Sequence, residues 1–227
     1  MKALVISLIA AFALVFSGCS AIAPEGYQAV KAAKEKYESL DSARVVMEDI
    51  SEGATLMEFS FYVNGKDEMV FSYSGGGEYA YSDGAEFFYK TAGAEEWEII
   101  GPGDEGYIYN IYNREYRYPY ARGSIFFLDG TSVESASVIG SADGPMSVTY
   151  VYDADKLNKN SVSGLENVSS FSSLTVTYTI DGDGCITEFT ETGRVTDSDG
   201  VESDFNIRIS VYDMNGITEI PRPDISE

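Results

Sequence analysis

Histidine is absent from this 227-residue chain, and cysteine occurs only at Cys19 and Cys185. Without an imidazole, neither a Ser-His-Asp nor a Cys-His relay can be assembled, and no Gly-x-Ser-x-Gly nucleophile elbow is present. Positive charge is also scarce: 15 Lys and Arg stand against 37 Asp and Glu, for a formal net charge of −22. Such a surface repels nucleic acid and anionic headgroups, so no nucleic-acid partner is expected. Prolines number six and form no linker, tryptophan occurs once, and no internal repeat is found.

The one long apolar run lies at the start. Lys2 precedes an apolar stretch from Ala3 to Phe16 that is broken only by Ser7, the pattern of a secretory signal. It falls short of the roughly 20 residues a spanning helix needs and is followed by small residues, not by a basic stop-transfer flank. Phe16-Ser17-Gly18-Cys19 resembles the bacterial lipobox, with Phe16 where that pattern usually has Leu. The resemblance implies cleavage after residue 18, diacylglycerol on the Cys19 thiol, and a tether over residues 19–26. Two acyl chains are enough for stable membrane attachment. An extracytoplasmic, lipid-anchored protein is therefore expected, at a Gram-positive surface or in a Gram-negative periplasm. Cys185 would then have no disulfide partner; it opens an apolar-alternating run and reads as a buried structural thiol.

Residues 27–227 read as a single, mainly β domain with one helix in front. From Tyr27 to Leu40, Val30, Ala33, Tyr37 and Leu40 recur at spacings of three and four, which predicts an amphipathic helix. Lys31, Lys34 and Lys36 are expected on its solvated face, where they would also suit an anionic membrane surface. Beyond Ala43 the period becomes two. Met57, Phe59, Phe61 and Val63 alternate with polar neighbours, as do Met69, Phe71 and Tyr73; Val148, Tyr150 and Tyr152; Leu174, Val176, Tyr178 and Ile180; and Phe205, Ile207, Ile209 and Val211. This predicts half-exposed antiparallel strands. The dipeptides Asn64-Gly65, Asp83-Gly84, Asp129-Gly130, Asp143-Gly144, Asp183-Gly184, Asp199-Gly200 and Asn215-Gly216 accept tight-turn backbone angles, so the strands are expected to form a meander of hairpins. A second short helix is expected over 153–160, capped by Asp153 or Asp155.

Sequences that mimic chemical motifs do not fit their chemistry. Gly101-Pro102-Gly103-Asp104-Glu105-Gly106 satisfies GxGxxG but lacks a βαβ setting, and its two carboxylates would repel phosphate. It reads as a glycine turn. In the stretch from Asp181 to Glu188 the glycine falls too early for a calcium loop and the later carboxylate is misplaced, so a hairpin turn is expected and no metal. Among 37 acidic residues nothing selects a glycosidase-like pair. No catalytic residue and no cofactor is expected, and the chain is read as a non-enzyme.

One segment is not explained by a plain meander. Tyr107, Tyr109, Tyr112, Tyr116, Tyr118 and Tyr120 are interleaved with Arg114, Arg117 and Arg122. Amphipathic rings beside guanidinium groups suit a ligand-binding rim, with arginine available to phosphate or carboxylate. The same residues would also serve as a strand pair covering a sheet edge. Trp97 is expected to be a core or rim anchor.

The order of a lipobox, a tether, one amphipathic helix and a long series of hairpin strands resembles the LolA-like lipoprotein-carrier superfamily, including the mycobacterial lipoproteins of the LppX-LprG type. The resemblance covers about residues 27–223 and rests on organisation, not on a fixed motif. It implies an α+β, mainly β fold: a curved antiparallel half-barrel of about ten strands, with the helix on its concave side and acyl chains between them. The expected function is binding or carriage of a lipid or other hydrophobic ligand. The alternative is an interaction or regulatory lipoprotein with a packed core that binds a cell-envelope protein or polysaccharide.

Overall fold

The computed structural model describes residues 23–64, 68–104, 112, 117, 128–141, 144–160 and 168–224. The signal segment, Cys19 and most of the tyrosine segment lie outside the described residues. Helix α1 spans Tyr27–Glu38, two residues shorter than expected. Gly26 precedes it with φ 74°, and a β-carbon there would lie 2.7 Å from Val148 Cγ1 and 3.0 Å from Val138 Cγ2. A positive φ without a Cβ lets the chain turn into the helix while resting directly on the sheet. At the other end, the Ser39 hydroxyl donates to the Lys36 carbonyl, closing the last turn.

Eleven strands follow: β1 (Ser42–Asp49), β2 (Ala54–Val63), β3 (Met69–Gly75), β4 (Glu78–Ser82), β5 (Phe87–Thr91), β6 (Glu98–Ile100), β7 (Val133–Gly140), β8 (Met146–Tyr152), β9 (Val168–Ile180), β10 (Ile186–Asp197) and β11 (Glu202–Tyr212). Helix α2 (Ala154–Asn160) interrupts β8 and β9, with Asp153 Oδ1 accepting from the Lys156 amide as its cap. The strands form one antiparallel, curved and unclosed sheet, a half-barrel of the α+β class.

The sheet is not the single meander that the turn dipeptides suggest. Its order is β6-β5-β4-β3-β2-β1-β11-β10-β9-β8-β7. Two meanders meet where the first strand pairs with the last, with Val45 opposite Val211 and Met47 opposite Ile209. The connection from β6 to β7 therefore joins the two outer edges of the sheet, and it carries the tyrosine segment. Turn chemistry specifies which neighbours form hairpins; it does not say where the series breaks.

Register parity sorts the side chains. On the inner face, Phe59, Phe61, Phe71, Val148, Tyr150, Val176, Tyr178 and Phe189 are fully buried, joined by Val30, Ala33, Tyr37 and Leu40 from α1 and the residues after it. The outer face is wet along β9–β11, where Arg194 pairs with Asp204 at 2.7 Å. It is dry along β3–β5. There Val70, Tyr81 and Phe88 form a second cluster with Ile220, flanked by Tyr62, Trp97 and Ile217. The chain beyond β11 is pinned to the start of β1, since Asn215 Oδ1 accepts from the Asp41 amide and Ser42 Oγ from the Ile217 amide. Residues 217–223 then cover the outer face, so the expectation of one wet face fails for these strands. Trp97 is an anchor of this outer cluster.

Candidate ligand site beneath the helix

Helix α1 lies across the inner face of β9 and β10. Its buried side chains are Val30, Ala33, Lys34 and Tyr37. Lys34 is thus not on the solvated face with Lys31 and Lys36, which are exposed; only 1% of it is accessible. The correction has a simple geometric cause: position 34 follows Val30 by four and precedes Tyr37 by three, so it shares their stripe.

Beneath Lys34 lies the only acidic residue on the inner face of β10. Glu191 stands opposite Val176 on β9 and Ile207 on β11, in the line of Phe189 and Gly193. Glu191 as a whole is half-buried. Lys34 Nζ lies 6.0 Å from the centre of the Tyr178 ring, and that ring packs edge-on to Phe189 at 4.9 Å and to Tyr150 at 6.0 Å. Among the described residues, neither Lys34 nor Glu191 makes a hydrogen bond or ion pair, and the buried Tyr150 hydroxyl also has no partner.

Burial dominates the protonation of this cluster. It pulls the Lys34 ammonium down to about 7, against the opposing effect of the Glu191 and Glu38 carboxylates. It pushes the Glu191 carboxyl up to about 7, with Lys34 opposing. Tyr150, Tyr152 and Tyr178 are all raised by burial, and Glu191 raises the last two further. These phenols stay protonated at every physiological pH and remain hydrogen-bond donors.

The other half of the concavity is filled by aromatic rings. Tyr112 stacks on Phe71 at 4.9 Å and packs edge-on to Tyr73 at 5.0 Å, with Phe87 at 5.9 Å. Arg117 sits over the Phe61 ring at 5.6 Å, and its Nη2 donates to the Leu40 carbonyl at 3.5 Å. The structure therefore brings these two expected site residues together inside the concavity, with Tyr112 only 4% exposed. Tyr107, Tyr109, Arg114, Tyr116, Tyr118, Tyr120 and Arg122 lie outside the described residues.

Helix α1 does not cover the whole inner face. Its 12 residues span about 18 Å, whereas the 13 residues of β9 span about 43 Å. At the far end Met47, Phe171, Val195, Phe205 and Ile207 all face inward yet stay partly exposed. Helix α2 is fastened there: Asn158 Nδ2 donates to the Phe171 carbonyl at 3.0 Å, and the Phe171 amide donates to Asn158 Oδ1 at 2.7 Å. This amide side chain takes over the backbone of β9 where the partner strand β8 has ended.

Two further concavities lie outside it. One, of about 290 Å³, runs beside α1 between Ala29, Ala32, Met146, Ile180 and the turn Asp181–Gly184. That turn is a hairpin held by Asp181 Oδ1, which accepts from the Asp183 and Cys185 amides at 3.0 and 2.8 Å. Cys185 is half-buried, not fully buried, and burial raises its thiol. The second, about 360 Å³, lies on the outer face between Tyr79, Tyr81, Trp97, Pro221, Pro223 and Glu58. The GxGxxG stretch is a turn at its described end, where the Gly101 amide donates to Asp104 Oδ2. No described helix is long and apolar enough to cross a membrane.

An open antiparallel half-barrel with a helix in its concavity defines the fold class of this protein. Among solved structures it is similar to LprF from Mycobacterium bovis, with 11% identity and a TM-score of 0.47, covering 86% of this chain and 95% of that one. It is also similar to the Mycobacterium tuberculosis lipoprotein LppX, with 8% identity and a TM-score of 0.40, covering 86% and 97% of the two chains. At these values the likeness is one of fold outline, and no residue role passes from them to this chain. No protein-family model and no curated protein matches it.

Proposed function

We propose that this chain is a membrane-anchored extracytoplasmic lipoprotein without enzymatic activity, which holds a lipid or other hydrophobic ligand on the concave face of its sheet. The observation that carries this reading is the mismatch between helix and sheet. Beyond the reach of α1, Met47, Phe171, Val195, Phe205 and Ile207 leave inward-facing apolar surface accessible. A folded chain ordinarily buries such a surface, and an acyl chain laid along the strands would do so. The lipobox at Cys19 supports the address: lipid on that thiol would hold the domain at the membrane from which such ligands come.

The test is native mass spectrometry of the full-length protein released from membranes. Adducts with the mass of acyl lipids are expected, and Phe205→Ala with Ile207→Ala should lower their yield at least tenfold. Recovery of adduct-free protein that also fails to take up a fluorescent fatty acid would count decisively against the reading.

A second reading is favoured by the outer concavity. Trp97 and Tyr79 beside Pro221, Pro223 and Glu58 form an aromatic, acid-edged surface of the kind that stacks on sugar rings or proline-rich peptide. A cell-envelope polysaccharide or protein would bind there with the core fully packed, and Trp97 fluorescence would report it.

A further inference from the structure

Beyond Ile217, the C-terminal tail is held to the outer face by side chains alone. Residues 218–223 have no regular secondary structure and, among the described residues, make no backbone hydrogen bond to the sheet. Ile217 and Pro223 are half-buried and Ile220 is buried, whereas Thr218, Glu219, Pro221 and Arg222 are exposed. Every third residue therefore turns inward, which is the repeat of a polyproline II helix. The surface beneath suits such a ligand. Ile220 enters the cluster of Val70, Tyr81 and Phe88, and Arg222 lies across the Phe88 ring. Aromatic-lined grooves are the usual receptors of extended, proline-containing segments.

The basic position of the tail meets acids that are already set. Asp83 Oδ1 accepts from the Ala85 and Glu86 amides, and Ser82 Oγ donates to the Glu86 carbonyl, so the turn between β4 and β5 is fixed without help from Arg222. Arg222 Nη1 reaches Asp83 Oδ2 at 3.6 Å, and Nη2 reaches Glu86 Oε2 at 3.0 Å. Both pairs are exposed, so they select the sign of the charge more than they hold the tail. Nor does the tail fill the surface: a concavity of about 360 Å³ stays open beside Pro221 and Pro223, lined also by Trp97 and Tyr79.

We propose that the outer face of β3–β5, with Trp97, is a groove for an extended aliphatic-Pro-basic-Pro segment of a basic partner protein, and that residues 217–223 occupy it in cis until such a segment displaces them. This rests on the second reading above, that the outer face binds a component of the cell envelope, and it names that component's chemistry and the segment that competes with it.

Charge and shape choose the partner. A sugar ring would stack on Trp97, but it has no branched aliphatic group for the Ile220 pocket and no cation for Asp83 and Glu86. A second copy of this chain brings the same net charge of −22, whereas a basic segment is drawn to it. Because the resident tail is tethered, it holds the groove at a high effective concentration. A displacing segment must therefore be more basic, or long enough to fill the space beside Trp97. Displacement leaves the central seam intact: the contacts of Asn215 and Ile217 with Asp41 and Ser42 lie ahead of the exchanged residues.

The experiment uses the full chain in maltoside micelles and a labelled peptide of residues 217–224 carrying Glu219→Lys and Asp224→Lys, with binding read by anisotropy and by the emission of Trp97, the only tryptophan. Ile220→Asp, which expels the tail from its pocket, should bind the peptide at least tenfold tighter than wild type. Arg222→Ala, a milder release that stands alone should the first variant not fold, should gain threefold or more. The same peptide with Arg222→Glu should bind at least tenfold more weakly than its parent. Equal binding by wild type and both variants, or by both peptides, would overturn the groove. Concentration-dependent dimers of the released variants in sedimentation would overturn the basic partner and give the groove to a second copy. A shift of Trp97 emission with maltoheptaose but not with the peptide would overturn the inference and leave the outer-face reading standing; no shift with either would remove both.

Discussion

The ring of Phe205 occupies the space beside Gly193 that a side chain there would need: a β-carbon on Gly193 would stand 2.9 Å from Phe205 Cζ and would also press on the Ser173 carbonyl. The two residues are cross-strand partners, and the missing side chain lets the ring lie flat over β10 toward Phe171. Gly193→Ala must therefore shift both the ring and the backbone of β9. We expect it to cost about 1–3 kcal/mol, the usual range for overpacking, read as a lower urea midpoint at unchanged slope.

Asn158 completes two hydrogen bonds for Phe171 that no strand can supply. Asn158→Ala would leave one partly buried donor and one partly buried acceptor of β9 without that partner. A loss of about 1 kcal/mol is expected, with faster amide exchange concentrated in α2 and the first residues of β9; uniform exchange across the sheet would contradict it.

Stability should have a local minimum near neutral pH. Lys34 has a folded pKa near 7, below the 10.5 of the free amine, so its buried charge opposes folding in full below pH 7 and is relieved as pH rises toward 10.5. Glu191 has a folded pKa near 7, above the free value of 4.5, so its penalty is absent at low pH and grows as pH rises from 4.5 through 7. The two slopes have opposite sign and meet near 7. Unfolding free energies of wild type minus those of Lys34→Met with Glu191→Gln, measured from about pH 5 to 10, should trace this dip; a flat difference would contradict it.

The outer cluster depends on the C-terminal tail. Ile220 is 8% exposed against Val70, Tyr81 and Phe88, and Arg222 lies 4.7 Å above the Phe88 ring while reaching Glu86 at 3.0 Å. Ending the chain after Glu219 should cost about 2 kcal/mol and raise binding of a hydrophobic dye, because burying one Ile side chain contributes about that much. The ion pairs of Arg222 are exposed and should add little, so Arg222→Lys should be near neutral.

Replacing Cys19 by Ala should leave the full-size precursor uncut and without metabolic palmitate label, while wild type is labelled and shortened. Unlabelled wild-type protein of full size in the membrane fraction would defeat the lipobox reading.

Much of the fold was legible because its signals are local. Val30, Ala33, Tyr37 and Leu40 name the buried stripe of α1, and the period of two in β2, β8, β9 and β11 names their inner faces. The polar cluster was hidden by two separate effects. Lys34 lies on the helical stripe, but its charge speaks for the solvated face. Glu191 sits in a strand whose irregular register at Ile186/Glu188 shifts the alternation, and whose neighbours are mostly Thr and Glu. The dry outer face of β3–β5 was hidden because its cover comes from residues about 150 positions later, and nothing local announces so distant a partner. For the tyrosine segment, spacing marked chemistry without depth: of its described residues Tyr112 is buried and Arg117, over the Phe61 ring, is half-buried.

The pairing of β1 with β11 imposes an order in time. Any partial chain that emerges from a ribosome or a translocation pore exposes one bare edge of β1 until residue 212 has followed, since the strand that zips the two halves is the last to arrive. The central hydrogen-bonded seam, and with it a settled seating for α1 over β9 and β10, can form only after nearly the whole chain is out.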